Sequence, residues 1–207
     1  VDADTQDHIW VVHRASTLAA NETPVLGDPP TAEECCAPAP PVLEFDPEGN
    51  LVGQWGGPGD GYDWPSSNHG ITVDHMDNVW IGGNGAGDSH ALKFTRGGEF
   101  LLQIGVAGRD PDSLSLDSFG RIAKISVDGP ENEIYFADGY GNKRVAVVDA
   151  DTGEVKRFWG AYGNEPDDSD RQRYTPGGPP LQQFRSPVHC AEVSDSGLIY
   201  VCDRSHD

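Results

Sequence analysis

Apolar and polar residues alternate in short stretches along this chain, and the stretches recur in a fixed order. The clearest set begins with Ile71-Thr72-Val73-Asp74, which alternates as a strand with one buried face does. His75-Met76-Asp77-Asn78 makes a turn, Val79-Trp80-Ile81 returns, Ala91-Leu92-Lys93-Phe94 follows, and Arg96-Gly97-Gly98-Glu99 turns the chain into Phe100-Leu101-Leu102-Gln103-Ile104-Gly105. A second set keeps the order: Ile125-Ser126-Val127-Asp128, a turn through Gly129-Pro130, Ile134-Tyr135-Phe136, Arg144-Val145-Ala146-Val147-Val148, the turn Asp151-Thr152-Gly153-Glu154, and a strand over 155–160. Another begins at Val1-Asp2 and runs through His8-Ile9-Trp10-Val11-Val12, Val42-Leu43-Glu44-Phe45, Pro47-Glu48-Gly49-Asn50 and a strand over 51–56. The last set has two strands, Ala191-Glu192-Val193-Ser194 and Leu198-Ile199-Tyr200-Val201.

Each full set predicts a four-stranded antiparallel meander of about 40–50 residues, the unit from which propellers are assembled. One twisted sheet cannot bury both its faces, so such units stack side by side. The expected fold is all-β: a partial β-propeller over residues 1–207, with about three and a half blades. Blade one falls at about 1–56, blade two at about 69–105, blade three at about 119–160, and blade four starts at about 184. Two inserts, 17–41 and 161–183, are rich in proline, glycine and acidic residues and predict surface loops. An unclosed ring leaves sheet edges exposed, so the chain alone is expected to be poorly stable.

Composition agrees with short strands and tight turns: 26 glycines, 16 prolines and a single methionine. A formal charge of −20 repels a phosphate backbone, which argues against nucleic acid and leaves cationic ligands and metal ions. No apolar run approaches the roughly 20 residues of a membrane span. Of four cysteines, Cys190 and Cys202 flank a predicted hairpin and could pair across it, whereas a conventional bridge between adjacent Cys35 and Cys36 would be strained. None forms a CxxC zinc or redox pattern, and this usage points to an exported protein, periplasmic or extracellular. The glycine-rich stretch 56–61 lacks the lysine and following helix of a phosphate cradle and reads as a loop.

The repeats resemble NHL repeats in their Val-Asp strand, their Ile-Tyr-like strand, and a strand such as Asn142-Lys143-Arg144-Val145-Ala146-Val147. The resemblance covers nearly the whole chain and implies an NHL-type propeller that is six-bladed when closed. Aligned on their Val-Asp or Val-Ser pairs, blades two and four carry His69 and His189 at one position, and blade three carries Ala123. Alternate blades of a six-bladed ring stand about 120° apart, so such histidines would converge on the axis. Three imidazoles and an open position make a catalytic zinc arrangement. The coincidence can also arise by chance among seven histidines. Aligning the second strands puts Arg14 and Arg204 at one site, with Gly139 and then Tyr140 on blade three. An arginine there can clamp a carboxylate and a tyrosine can serve as a base, or the arginines can be surface ion-pair partners and the tyrosine a packed aromatic.

Five segments further resemble the active-site segments of peptidyl-α-hydroxyglycine α-amidating lyases, in the same order: Val12-His13-Arg14, Asn68-His69-Gly70-Ile71, Ala137-Asp138-Gly139-Tyr140-Gly141-Asn142, Ser186-Pro187-Val188-His189 and Cys202-Asp203-Arg204. The resemblance implies a zinc held by His69, His189 and a third histidine beyond Asp207. It implies active-site roles for Arg14 and Arg204, Tyr140 as the catalytic base, and a structural calcium bound partly by the main-chain carbonyl of Ile71. The implied reaction cleaves the carbinolamide C–N bond of a peptide or small-molecule substrate to an amide and glyoxylate. Where the animal members have a cysteine after the tyrosine, this chain has Gly141, and neither insert has a counterpart, which leaves the substrate open. Two other readings stand beside the lyase. One is a non-catalytic NHL propeller that binds a protein or small ligand. The other is a calcium-dependent, lactonase-like hydrolase, whose hard ion takes carboxylate and Asn ligands, whereas histidines favour zinc. The oligomeric state is not encoded in any pattern visible here.

Overall fold

The computed structural model describes residues 1–169 and 175–205. Positions 170–174 of the second insert, and 206–207, lie outside the described residues. The chain is all-β, with short single-turn 3-10 helices in its loops. Its strands form four antiparallel sheets, three of four strands and one of two, each in chain order. Sheet one holds β1 (Asp2–Ala3), β2 (Ile9–Val12), β3 (Val42–Phe45) and β4 (Leu51–Trp55). Sheet two holds β5 (Asn68–Val73), β6 (Val79–Gly83), β7 (His90–Phe94) and β8 (Phe100–Gly105). Sheet three holds β9 (Ile122–Asp128), β10 (Glu133–Asp138), β11 (Arg144–Asp149) and β12 (Val155–Trp159). Sheet four is the hairpin β13 (Val188–Val193) and β14 (Ile199–Asp203).

The leading strands stand next to one another: β1 and β2 against β5, β5 against β9, and β9 against β13. This side-by-side order of meanders is consistent with a β-propeller-like fold. Equivalent positions stitch each sheet to the next. Val73 N donates to Asp2 Oδ2 at 2.8 Å, Thr72 Oγ1 to Ile125 O at 2.6 Å, and Val193 N to Ser126 Oγ at 3.4 Å.

Successive side chains of a strand point to opposite faces, and here each face has its own core. On β6, Val79 and Ile81 pack with Trp10, Val42 and Phe94 of the core between sheets one and two. Trp80 packs with Ile125 and Ile134 between sheets two and three. On β10, Ile134 and Phe136 face sheet two, while Tyr135 and Ala137 join Val188 and Ala191 of sheet four. Burying each large apolar side chain contributes roughly 1.5–3 kcal/mol, and the central sheets bury both faces.

The turn from first to second strand is set by an aspartate. Asp74 Oδ1 accepts from Met76 N and Asn78 N, both at 2.9 Å, and Oδ2 accepts from Trp80 Nε1 at 2.9 Å. In sheet one the same bonds go to Asp4, from Gln6 N at 2.9 Å, His8 N at 3.0 Å and Trp10 Nε1 at 3.1 Å. The counterpart of Val73-Asp74 is therefore Ala3-Asp4, two residues beyond the expected Val1-Asp2. Arg96, on the β7–β8 turn, reaches back to Asp4 Oδ2 at 2.9 Å and to Glu44, and stacks 5.3 Å from the Trp10 ring. Asp4, His8 and Glu44 gather metal-type donors at one point, and the Arg96 guanidinium already supplies a cation there.

Glu133, at the start of β10, accepts from Arg157 through two bonds of 2.6 Å, from Tyr135 Oη at 2.9 Å, and pairs with Lys156 at 2.7 Å. The Arg157 guanidinium, against the opposing effect of burial, holds this carboxyl down at about 2 instead of 4.5. Because the folded value is depressed, the stabilisation is complete above about pH 4.5 and is lost as pH falls toward 2. Allowing for solvent around half-exposed Arg157, the contribution is about 2 kcal/mol. Urea melts across this window should therefore show Glu133→Gln less stable than the native chain at pH 6, with the gap closing in acid.

Candidate functional site

A bulge interrupts the leading strand of sheets two, three and four near its start. Pairing of β5 with β6 skips Gly70, β9 with β10 skips Ala123, and β13 with β14 skips His189. An extra unpaired residue bends the strand and re-aims the side chains around it. At Gly70 the backbone is left-handed, with φ +79°, and a Cβ would stand 3.1 Å from Ala123 O. Glycine suits both demands. The bulges turn His69 and His189 to the same end of their sheets, where both border a cavity of about 560 Å³.

His69 Nδ1 donates to Ala123 O at 2.8 Å. A carbonyl only accepts, so Nδ1 carries the hydrogen and Nε2 of the neutral ring holds the lone pair. Tyr140 Oη lies 3.0 Å from His69 Nε2 and donates to it. Its one proton is then committed, so His189 Nε2, 3.1 Å away, donates to the tyrosine oxygen. Arg204 Nη1 also donates to that oxygen at 3.4 Å, with its guanidinium 5.5 Å from the Tyr140 ring centre. Burial pushes the His69 imidazole below its ordinary value against the Ala123 carbonyl, and Arg14, His189 and Arg204 push the same way. His189 is lowered by burial and then by Arg204. Both rings are thereby favoured in the neutral form, the one that can ligate a metal.

Tyr140 is placed by its loop. A Cβ on Gly139 would run into the Val188 backbone, so this residue has room for hydrogen alone. Ser186 Oγ donates to Gly139 O at 2.8 Å, Tyr140 N to Arg121 O at 3.3 Å, and Gly141 N to Gly120 O at 2.5 Å. Gly139→Ala should therefore force sheets three and four apart at this end. An overpacking cost of about 1–3 kcal/mol is expected, read as a lower urea midpoint.

His69, His189, Tyr140 and Arg204 thus come together at one point. Arg14 borders the same cavity but is tied to sheet two, its Nε donating to Asn68 O at 2.9 Å and Nη2 to Asn84 Oδ1 at 3.2 Å. Ile71 puts its side chain into the core between sheets one and two. Cys190 and Cys202 are opposite partners in the sheet-four hairpin and are bridged, one residue after His189 and two before Arg204. The Ala123 carbonyl and Asn84 belong to the site without any prior signal, since a repeat alignment registers Ala123 only as the blade that lacks histidine.

Two imidazole Nε2 atoms facing one point suit a borderline ion such as zinc once the His189 hydrogen sits on Nδ1, and the His69 Nδ1–carbonyl bond is the outer contact that orients metal-ligating histidines. A hard ion is served less well: the carboxylate bordering this cavity, Glu192, pairs with Lys124 at 2.7 Å. Fold and site define an all-β protein with an imidazole–phenol–guanidinium centre at one end of its stacked sheets. No protein-family model matches the chain and no curated protein matches it.

Proposed function

We propose that the chain belongs to an NHL-type, six-bladed propeller and that this centre is the active site of a zinc-dependent lyase. The substrate is a peptide or small molecule ending in a carbinolamide, and the products are an amide and glyoxylate. The observation that supports the reading is the convergence of His69 Nε2 and His189 Nε2 on Tyr140 Oη, at 3.0 and 3.1 Å, with Arg204 beside them. His69 and His189 would hold the zinc, which when bound supplies Lewis acidity to the substrate hydroxyl. Tyr140 Oη would take up the hydroxyl proton as its own proton passes to the amide nitrogen. As the carbonyl forms, the C–N electron pair passes to the amide nitrogen, which takes up a proton, so the net transfer is one proton from oxygen to nitrogen. The Arg204 guanidinium faces the substrate carboxylate, a planar group it can grip through two bonds. Arg14, held by Asn68 and Asn84, adds positive charge from the sheet-one side. The Cys190–Cys202 bridge suits an oxidising compartment, periplasmic or extracellular.

The test is metal analysis together with glyoxylate release from a peptide ending in α-hydroxyglycine. The expected result is about one zinc per chain and turnover, with both lost in His69→Ala. A protein that takes up no zinc and releases no glyoxylate would leave the non-catalytic binding propeller as the better reading.

A further inference from the structure

Outside this centre, Arg109 and Arg121 border a second cavity, of about 340 Å³, beside Asp110 and Phe119. The loops after β6 and β8 form it, and Gly87 and Gly108 come so close there that a Cβ on Gly87 would lie 3.3 Å from Gly108 Cα. The chain carries 34 acidic side chains against 14 basic ones, so a guanidinium has many carboxylates to choose from. Arg96, Arg144 and Arg157 each pair with one or more. Among the described residues, the Arg109 and Arg121 guanidinium groups make neither a hydrogen bond nor an ion pair. Arg121 is moreover a partly buried arginine with φ +67°, a conformation that costs a non-glycine residue backbone energy. Its carbonyl receives Tyr140 N, while its side chain is given to the cavity. Two forked donors that make no hydrogen bond, with Asp117 acting on Arg109 only through space, stand in a concavity floored by glycine and form a receptor for an oxyanion.

We propose that this cavity binds a small oxyanionic ligand, carboxylate or phosphate, through Arg121 and Arg109, as a site separate from the imidazole centre. Asp110 on the rim disfavours a second negative charge at that edge, so the ligand presents its anionic group toward the two arginines. Binding should be salt-sensitive, because exposed Arg109 and partly buried Arg121 are both screened.

Calorimetric titration of the full chain with inorganic phosphate and, separately, with malonate is the test. Saturable binding of at least one anion is expected, weakened about tenfold or more in Arg121→Gln and in Arg109→Gln. The anion that binds more tightly identifies the oxyanion class. Arg121→Gly separates binding from folding: it relieves the left-handed strain, so it should melt no lower than the native chain and yet fail to bind. His69→Ala should bind the anion as before. Failure of both anions to bind, or binding that survives both arginine substitutions, would overturn the proposal whatever the fate of the lyase reading.

Discussion

Asp138→Asn should destabilise the fold by about 3–5 kcal/mol, enough to leave little of a typical domain's stability. Asp138 and Arg144 are both 0 % exposed and share an Nε–Oδ2 bond of 2.8 Å. The carboxylate also accepts from Gly120 N at 2.6 Å and Asn142 Nδ2 at 2.8 Å. Three more of the guanidinium donors go to Ser113 O at 2.9 Å, Ser115 O at 2.6 Å and Ser118 O at 3.1 Å. An asparagine keeps the shape but leaves a buried cation without its counter-charge. Urea unfolding should place the variant near the edge of folding at neutral pH. Asp138→Leu combined with Arg144→Met removes both charges and should recover much of the loss. If the single losses simply add in the double variant, the pair is not acting as a unit.

Tyr140→Phe carries the largest expected effect on the proposed chemistry. It removes one oxygen that contacts His69, His189 and Arg204, and leaves the ring in place. The turnover number should fall by about 10²–10⁴, the usual weight of a positioned proton acceptor. Zinc content should stay at the native level, because the imidazoles are untouched, and stability should change by about 1 kcal/mol or less. Steady-state glyoxylate release at several substrate concentrations checks this: kcat drops while KM holds. Arg204→Gln should do the reverse in part, raising KM as carboxylate binding weakens. Undiminished turnover in Tyr140→Phe would remove the tyrosine from the reaction.

The sheets were legible because each strand is a short apolar run closed by turn residues, as in Ala91-Leu92-Lys93-Phe94 before Arg96-Gly97-Gly98. The equivalence of His69 with His189 and of Arg14 with Arg204 was legible as repeat position alone. Their company was not, because the bulges that aim them fall on Gly70, Ala123 and His189, three residue types with no common signature. Pairing registers are a property of two strands, and a single strand does not record them. The start of sheet one was misplaced by two residues because Val1-Asp2 imitates the repeat, whereas the bonds to Gln6, His8 and Trp10 belong to Asp4. Arg144 heads an apolar strand where a charged residue normally reads as solvated, and its burial depends on serine carbonyls some 30 positions earlier in the chain.

The site is assembled across seams. His69 of sheet two leans on Ala123 of sheet three, and the Tyr140 loop of sheet three is pressed against Val188 of sheet four. No single sheet holds the constellation, and the three cores between sheets share no buried residue. A small tilt of one sheet against its neighbour can therefore separate the two imidazoles while every strand pairing stays intact. The spacing of the two imidazoles, 5.5 Å between ring centres, therefore follows from the angle between sheets and not from any strand register.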